Sequence, residues 1–231
     1  MRIRFRFSKV GKVRWTSHRD VARMWERALR RAKLPLAYTE GFSPRPQLAF
    51  GLALPTGCES TAEYVDVTMR HDVDAPALAG TLGELLPEGV DVMASVAIER
   101  GAASLQQSVD ACRWHIVVPA GQVAQANVAA RAALSAEHLP IDRERKGRLV
   151  VDDLRPSLRA IVVSESPTGE AVLVADLGTR PRGVRPAELA QVLDLRFGIA
   201  RRTSQWIERD GLLSEPLAVE APVTGAPVRV S

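Results

Sequence analysis

Cysteine is scarce in this chain: its 231 residues include two, Cys58 and Cys112. Zinc and iron–sulfur sites use closely spaced cysteine pairs or triads, so these two distant cysteines predict no metal site and no resident cofactor. We expect two reduced, mostly buried thiols, as is usual for free cysteine in reducing compartments. A cytoplasmic protein is therefore expected.

Long apolar runs and common catalytic motifs are also missing. No run approaches the roughly eighteen consecutive apolar residues of a transmembrane helix, which predicts no membrane span. The sequence contains no P-loop, no G-x-G-x-x-G and no G-x-S-x-G, so the commonest nucleotide-binding and hydrolase classes are not expected. These absences favour a non-catalytic protein but do not exclude an unusual enzyme.

Positive charge is concentrated at the beginning of the chain. The first fifty residues hold 13 Lys or Arg against 3 Asp or Glu, whereas the whole chain has a net charge of only +4. Such asymmetry creates a local field that attracts polyanions and marks a candidate interaction surface.

The same fifty residues predict a strand followed by a basic helix. Residues 2–7 alternate strictly between apolar residues and arginine, so we expect a half-buried strand whose solvent face is a row of arginines. Ser17 stands three positions before Asp20, which predicts a helix N-cap, and Pro35 is expected to end that helix. The predicted buried stripe of the helix is Val21, Met24, Trp25, Ala28 and Leu29.

The later segments complete a β-α-β-β-α-β order, which the second half repeats with a longer insertion. The fold class expected is α+β, with two tandem ferredoxin-like halves and antiparallel sheets. The predicted domains are 1–100, which carries the basic surface, 101–212, and a flexible tail at 213–231. Predicted strands are 47–54, 62–69, 90–98, 112–118, 148–151, 159–163, 170–176 and 202–207, and predicted helices are 75–86, 123–134 and 186–195.

The basic strand, the basic helix and the loop at 41–46 form the candidate binding surface. A charged helix face is usually just solvated, but neighbouring elements of one sign repel each other unless a polyanion neutralises them. Aromatic residues close by in sequence offer stacking faces to unpaired bases. The residues predicted to contact RNA or a partner are Arg4, Arg6, Lys12, Arg14, His18, Arg19, Arg23, Arg27, Arg30, Arg31, Tyr38, Phe42 and Arg45.

Two further sites carry reactive groups. His18, in the first helical turn, is the candidate catalytic residue for acid–base chemistry, or else it simply helps the helix begin. Asp152 and Asp153 are adjacent and would point to opposite faces of an extended segment, so we expect a turn in which Asp anchors the backbone. The arginines at 180–185 form a second basic loop that could extend the first patch.

Several motifs resemble one known family in order and spacing. They are WTSHRD at 15–20, WERALRRA at 25–32, LPLAY at 34–38, GFSPRP at 41–46, LPTGCES at 54–60 with EYVD at 63–66, VDDLRP at 151–156 and VRPAE at 184–188. Over about residues 1–205 the chain is similar to the radical SAM-linked proteins, the DUF2344 family. Arg19 departs from that pattern, because an apolar residue is usual there. The resemblance implies a partner radical SAM enzyme and an RNA-related context. The chain lacks the cysteine triad that would hold such an enzyme's own cluster.

Three functional hypotheses follow from these patterns. The first is an accessory protein that binds RNA, or presents an RNA substrate, for a radical SAM enzyme. The second is an RNA-modifying or RNA-cleaving enzyme that uses His18, with Tyr38 and Arg45 acting on the substrate. The third is a protein–protein adaptor whose basic face docks on an acidic partner.

Overall fold

The protein has a mixed α+β fold with one large, mainly antiparallel sheet and few helices. A computed structural model describes residues 1–99, 101–145, 147–165, 169–180 and 182–217. In the first half these residues form β1 (Arg2–Lys9), a 3₁₀ turn (Gly11–Trp15), α1 (His18–Arg31), β2 (Leu48–Phe50), β3 (Glu59–Thr68), α2 (Leu78–Gly83) and β4 (Val92–Ile98).

The second half follows a short linking helix and contains more strands than the first half. The sequence missed two of its strands: residues 140–145, which pair with 148–153 in a separate two-stranded hairpin, and residues 212–214, which pair with the strand at 200–209. The elements are α3 (Leu105–Ser108), β5 (Ala111–Val117), α4 (Val123–Ser135), β6 (Pro140–Arg145), β7 (Arg148–Asp153), β8 (Leu158–Glu165), β9 (Ala171–Gly178), α5 (Pro186–Leu193), β10 (Ala200–Arg209) and β11 (Leu212–Ser214).

The two halves share one nine-stranded sheet with the order β4-β1-β3-β10-β5-β9-β8. In the first half, β1 lies between β4 and β3, and β2 pairs with the end of β3, all antiparallel. In the second half, β5 lies between β10 and β9, and β8 pairs with β9, again all antiparallel. The halves meet where the beginning of β3 pairs in parallel with β10.

Each half packs its helices on one face of this sheet. Phe5 and Phe7 of β1 lie beneath α1, and their rings are 5.4 and 5.0 Å from the fully buried ring of Trp25. Tyr64 of β3 points to the opposite face and joins the core of the second half. Apolar burial therefore crosses the boundary between the halves, and such burial stabilises by roughly 25 cal/mol per Å².

The predicted row of solvent-facing arginines on β1 is wrong. Arg4 is fully buried, and its Nε and Nη2 donate to the Asp66 carboxylate at 2.8 and 3.0 Å. Arg2 donates to the same carboxylate at 2.8 Å. Arg6 forms an ion pair with Glu215 and donates to the carbonyl of Thr61 at 3.1 Å. Because later segments cover this face of the sheet, Arg4 and Arg6 are not part of an open surface.

The predicted tail at 213–231 begins too early, because its first residues are structured. β11 pairs with β10, and the following Glu215 reaches Arg6. The carbonyl of Pro216 accepts a hydrogen bond from Arg4 Nη1 at 3.4 Å. The rest of the predicted tail, 218–231, lies outside the described residues. The segment 212–217 thus contributes to covering the arginines of β1.

A buried ion pair stands at the junction of the halves. Arg202 of β10 donates from Nε and Nη2 to Glu63 of β3 at 3.1 and 2.6 Å. The two side chains are only 3% and 10% exposed. Gln205 of β10 adds a hydrogen bond of 2.6 Å to the carbonyl of Ala62. These contacts fix how β10 lies against β3.

We expect Glu63→Gln to lower the free energy of unfolding by about 3–5 kcal/mol, because it leaves the Arg202 charge buried without a counter-charge. Urea unfolding followed by tryptophan fluorescence measures the change. Glu208→Gln, which breaks an exposed pair with Arg159, is the control and should cost about 1 kcal/mol or less. Equal losses in both variants would contradict a dominant role for the buried pair.

As the sequence predicted, Asp153 anchors the backbone of a turn, here at the base of the β6–β7 hairpin. Its Oδ1 accepts hydrogen bonds from the backbone N–H groups of Leu139 and Arg155 at 2.8 and 2.9 Å. Its Oδ2 lies 2.9 Å from Nδ1 of His138. The hydrogen bond from His138, followed by the two backbone hydrogen bonds, lowers the pKa of Asp153 to about 2.

We expect Asp153→Asn to lower the melting temperature at pH 7. This decrease in melting temperature should become smaller as the pH falls. The folded-state pKa lies below the usual Asp value of about 3.9. The stabilisation is therefore complete above that value and is lost as pH falls toward the folded-state pKa. Thermal melts at pH 7, 4 and 2.5 measure the difference between variant and parent. Asp142→Asn, on the exposed side of β6, is the control, and a pH-independent effect of Asp153→Asn would contradict this account.

Candidate functional site

The N-terminal end of α1 is held by the predicted capping residues. Ser17 has extended backbone angles, and its Oγ accepts from the backbone N–H of Asp20 at 3.2 Å. The hydroxyl also donates to Asp20 Oδ2 at 2.7 Å. Such caps contribute about 1 kcal/mol. The helix then buries Val21, Trp25, Ala28 and Leu29 beneath it, and Met24 is half-buried.

The opposite face of α1 presents arginines to solvent. Two of them form loose ion pairs on the same helix: Arg23 with Asp20 at 3.4 Å and Arg30 with Glu26 at 3.6 Å. Exposed pairs of this kind stabilise by less than about 1 kcal/mol, so another anion can replace them. No ion pair with a described carboxylate is formed by the exposed Arg19, Arg27 and Arg31.

The loop at 39–46 lies next to this face. Tyr38 pairs with Pro46 across its base, and Thr39 exchanges hydrogen bonds with Arg45 through its backbone N–H and its hydroxyl. Gly41 has φ of +116°, which other residues rarely adopt. The loop leaves Phe42 fully exposed at its tip.

The helix face and the loop together line a groove of about 300 Å³. Four arginines from the two segments meet there, with one carboxylate, Glu26, among the lining residues. We call this the arginine groove. Its lining residues are Arg19, Ala22, Arg23, Glu26, Arg30, Ser43, Pro44 and Arg45.

Residues 2–186 match the family described as "Uncharacterized protein conserved in bacteria (DUF2344)". The chain belongs to this family. Among curated proteins, none matches it. One similar solved structure is titled "Crystal Structure of a Cbf5-Nop10-Gar1 Complex", at 12% identity and a TM-score of 0.46. The match covers 88% of this chain and 48% of the matched chain in that structure. This chain therefore spans about half the length of the matched chain.

The residues matched to DUF2344 include the whole arginine groove and seven of the nine strands of the large sheet. β10 and β11 lie beyond the match. In the described part of the DUF2344 chain, no helix is long and apolar enough to cross a bilayer.

Other predicted contact residues are placed near the groove's segments but do not line it. Lys12 is exposed on the 3₁₀ turn. Arg14 is half-buried, lies 3.4 Å from Glu59 and sits 5.3 Å from the ring of Trp15. Tyr38 is half-buried with the guanidinium of Arg70 at 5.7 Å from its ring. Arg4 is fully buried and Arg6 is half-buried. The candidate site is therefore limited to α1 and the 39–46 loop.

His18 is exposed at the first position of α1, and its ring meets the edge of Phe50 at a centroid distance of 5.1 Å. It lines a recess of only about 10 Å³ together with Lys9 and Glu63. That space holds about one water molecule, so the recess does not hold a nucleotide.

Lys9 is a polar residue of this recess that sequence reasoning missed. It is 3% exposed, and its Nζ donates to the carbonyl of Thr16 at 2.8 Å. Burial lowers the pKa of Lys9. No local sequence pattern reveals that the chain folds over this amine.

Proposed function

We propose that this DUF2344 protein is an accessory module that binds single-stranded RNA in the arginine groove for a partner radical SAM enzyme. The meeting of four arginines from two separate segments in one groove is the observation that carries the proposal. The partner comes from the motif resemblance. The two distant cysteines favour a partner that brings its own cluster.

The electrostatics of the groove support a polyanionic ligand. Arg19, Arg23, Arg30 and Arg45 bring four positive charges to a space with one lining carboxylate, Glu26. Like charges held close together raise the energy of the folded protein, and a ligand with several phosphates relieves this repulsion. Guanidinium groups also match phosphate geometry with two parallel hydrogen bonds.

The exposed aromatic rings favour an unpaired strand over a duplex. Phe42 stands fully exposed at the tip of the loop, and Trp15 is 64% exposed just before α1. Unpaired bases stack on such rings, whereas bases within a duplex have no free face. A single strand can therefore place its phosphates in the groove and a base on Phe42.

The strand order of the large sheet is consistent with RNA binding in the arginine groove. We infer that the two halves are tandem ferredoxin-like units, because each places its strands in the order fourth, first, third, second with antiparallel neighbours. Fold alone does not specify function, so the groove carries the proposal.

The first test removes three groove arginines together, Arg19→Ala, Arg23→Ala and Arg45→Ala. Fluorescence anisotropy with a labelled single-stranded RNA at several salt concentrations gives the affinity. Losing three phosphate contacts should weaken binding roughly a hundredfold at 0.1 M salt and make the slope of log affinity against log salt about 2 units shallower.

The matched control replaces three exposed arginines elsewhere, Arg131, Arg148 and Arg196, with alanine. This variant has the same net charge but an intact groove, so its affinity should stay close to the parent's. Equal losses of RNA affinity in the two triple variants would show that binding depends on the net charge of the protein and not on the arginine groove. If the RNA affinity of the parent protein does not change with salt concentration, the RNA proposal is overturned.

The second test is Phe42→Ala. Loss of one stacked base should weaken RNA binding by about 1–3 kcal/mol, roughly 5- to 150-fold, without changing the salt slope. Leu149→Ala is the control, since Leu149 is an apolar residue 82% exposed on the hairpin. If Phe42→Ala binds as the parent does, the loop tip does not contact a base.

Two further measurements separate the alternative functions. Pull-down after nuclease treatment favours the adaptor if an acidic protein partner is retained without RNA. Incubation of RNA with the parent and with His18→Ala tests the enzyme hypothesis. A modified or cleaved product that the parent makes and the variant does not would replace the accessory role with a catalytic one.

A further inference from the structure

A second cavity, of about 140 Å³, lies between the two halves of the protein. It is bounded by the segment joining β2 to β3, by strands β5 and β9, and by the residues just before α5. Its walls are mostly apolar, with Leu52 from the first half and Trp114 from the second. Two arginines, Arg185 and Arg202, also line it.

One guanidinium nitrogen of Arg202 lacks a strong acceptor. Its Nε and Nη2 are satisfied by Glu63, and Nη2 also donates to the carbonyl of Leu52 at 2.7 Å. Within the described part of the chain, the acceptor found for Nη1 is the sulfur of Cys112 at 4.0 Å. Burial raises the pKa of Cys112, so the sulfur is a neutral thiol, which is a weak acceptor.

A buried cationic donor without an oxygen acceptor costs more than an ordinary unmade hydrogen bond. Arg202 is 2% exposed, and both it and Cys112 line the cavity. An oxygen atom entering this cavity would therefore supply the acceptor that the protein itself does not.

The charge and size of the cavity define the ligand. Glu63 already balances Arg202, whereas the exposed Arg185 forms no ion pair with a described carboxylate. One positive charge is thus left for a ligand. The volume is well below the roughly 300 Å³ of pockets for drug-sized molecules. A single negative charge on a small body with an apolar side fits both conditions.

We propose that this cavity binds a small monocarboxylate. The carboxylate accepts hydrogen bonds from Arg202 Nη1 and the Arg185 guanidinium, and the apolar tail lies against Trp114. The site is separate from the arginine groove and does not depend on RNA binding.

The test is an NMR titration of the full chain with sodium butyrate at constant ionic strength. Amide signals of the residues lining the cavity should shift in a saturable way. Butyramide, which has the same shape without the charge, should shift them at least about tenfold more weakly, since a hydrogen bond to a charged group is lost. Equal binding of the two compounds, or no saturable shift, would overturn the proposal. Tighter binding of inorganic phosphate would overturn the monocarboxylate assignment.

Three variants locate the ligand. Arg185→Ala should weaken butyrate binding about tenfold, whereas Arg196→Ala, another exposed arginine of the second half, should leave it unchanged. Ala53→Leu adds bulk at an exposed residue that lines the cavity, so it should block binding while the melting temperature stays close to the parent's. Unchanged butyrate affinity in Arg185→Ala or Ala53→Leu would show that the shifts arise elsewhere.

Discussion

The structure depends on the neutralisation of buried charge along β3. This strand carries the carboxylates of Glu59, Glu63 and Asp66, all nearly inaccessible to water. Each is matched by arginines from distant parts of the chain: Arg201 and Arg14, Arg202, and the first arginines of β1. Because an unpaired buried charge is strongly unfavourable, these pairs hold β1, β3 and β10 in one register and join the two halves in one sheet.

This constraint separates the arginines of β1 from those of α1 and the 39–46 loop. Those on β1 are used internally, since Arg4 meets Asp66 and Arg6 meets Glu215. Those on α1 and in the 39–46 loop face solvent, and within the described residues they form loose ion pairs or none. The exposed positive surface is therefore smaller than the charge count suggests, and four of its arginines line the arginine groove.

The same neutralisation explains why the cavity between the halves contains a buried hydrogen-bond donor. Glu63 and Leu52 occupy the nitrogens Nε and Nη2 of Arg202, which leaves Nη1 facing the thiol of Cys112. The interaction that joins the halves thus also leaves a donor in the space between them. In the proposed carboxylate site, the side chain of Arg202 would combine a structural role with ligand binding.

Local sequence patterns were enough to predict most of the helices and strands and the N-cap of α1. The N-cap at Ser17, the buried stripe around Trp25 and the anchoring turn at Asp153 follow from spacings of a few residues, because each arises within one element or turn. Only the tertiary structure determined which groups the β1 arginines contact and where the cavities form. Strict alternation separates the two faces of a strand but does not reveal which later segment covers a face. Asp66 and Glu215 contact these arginines from 62 and 209 positions away in the sequence. Local periodicity gives no information about contacts over such separations.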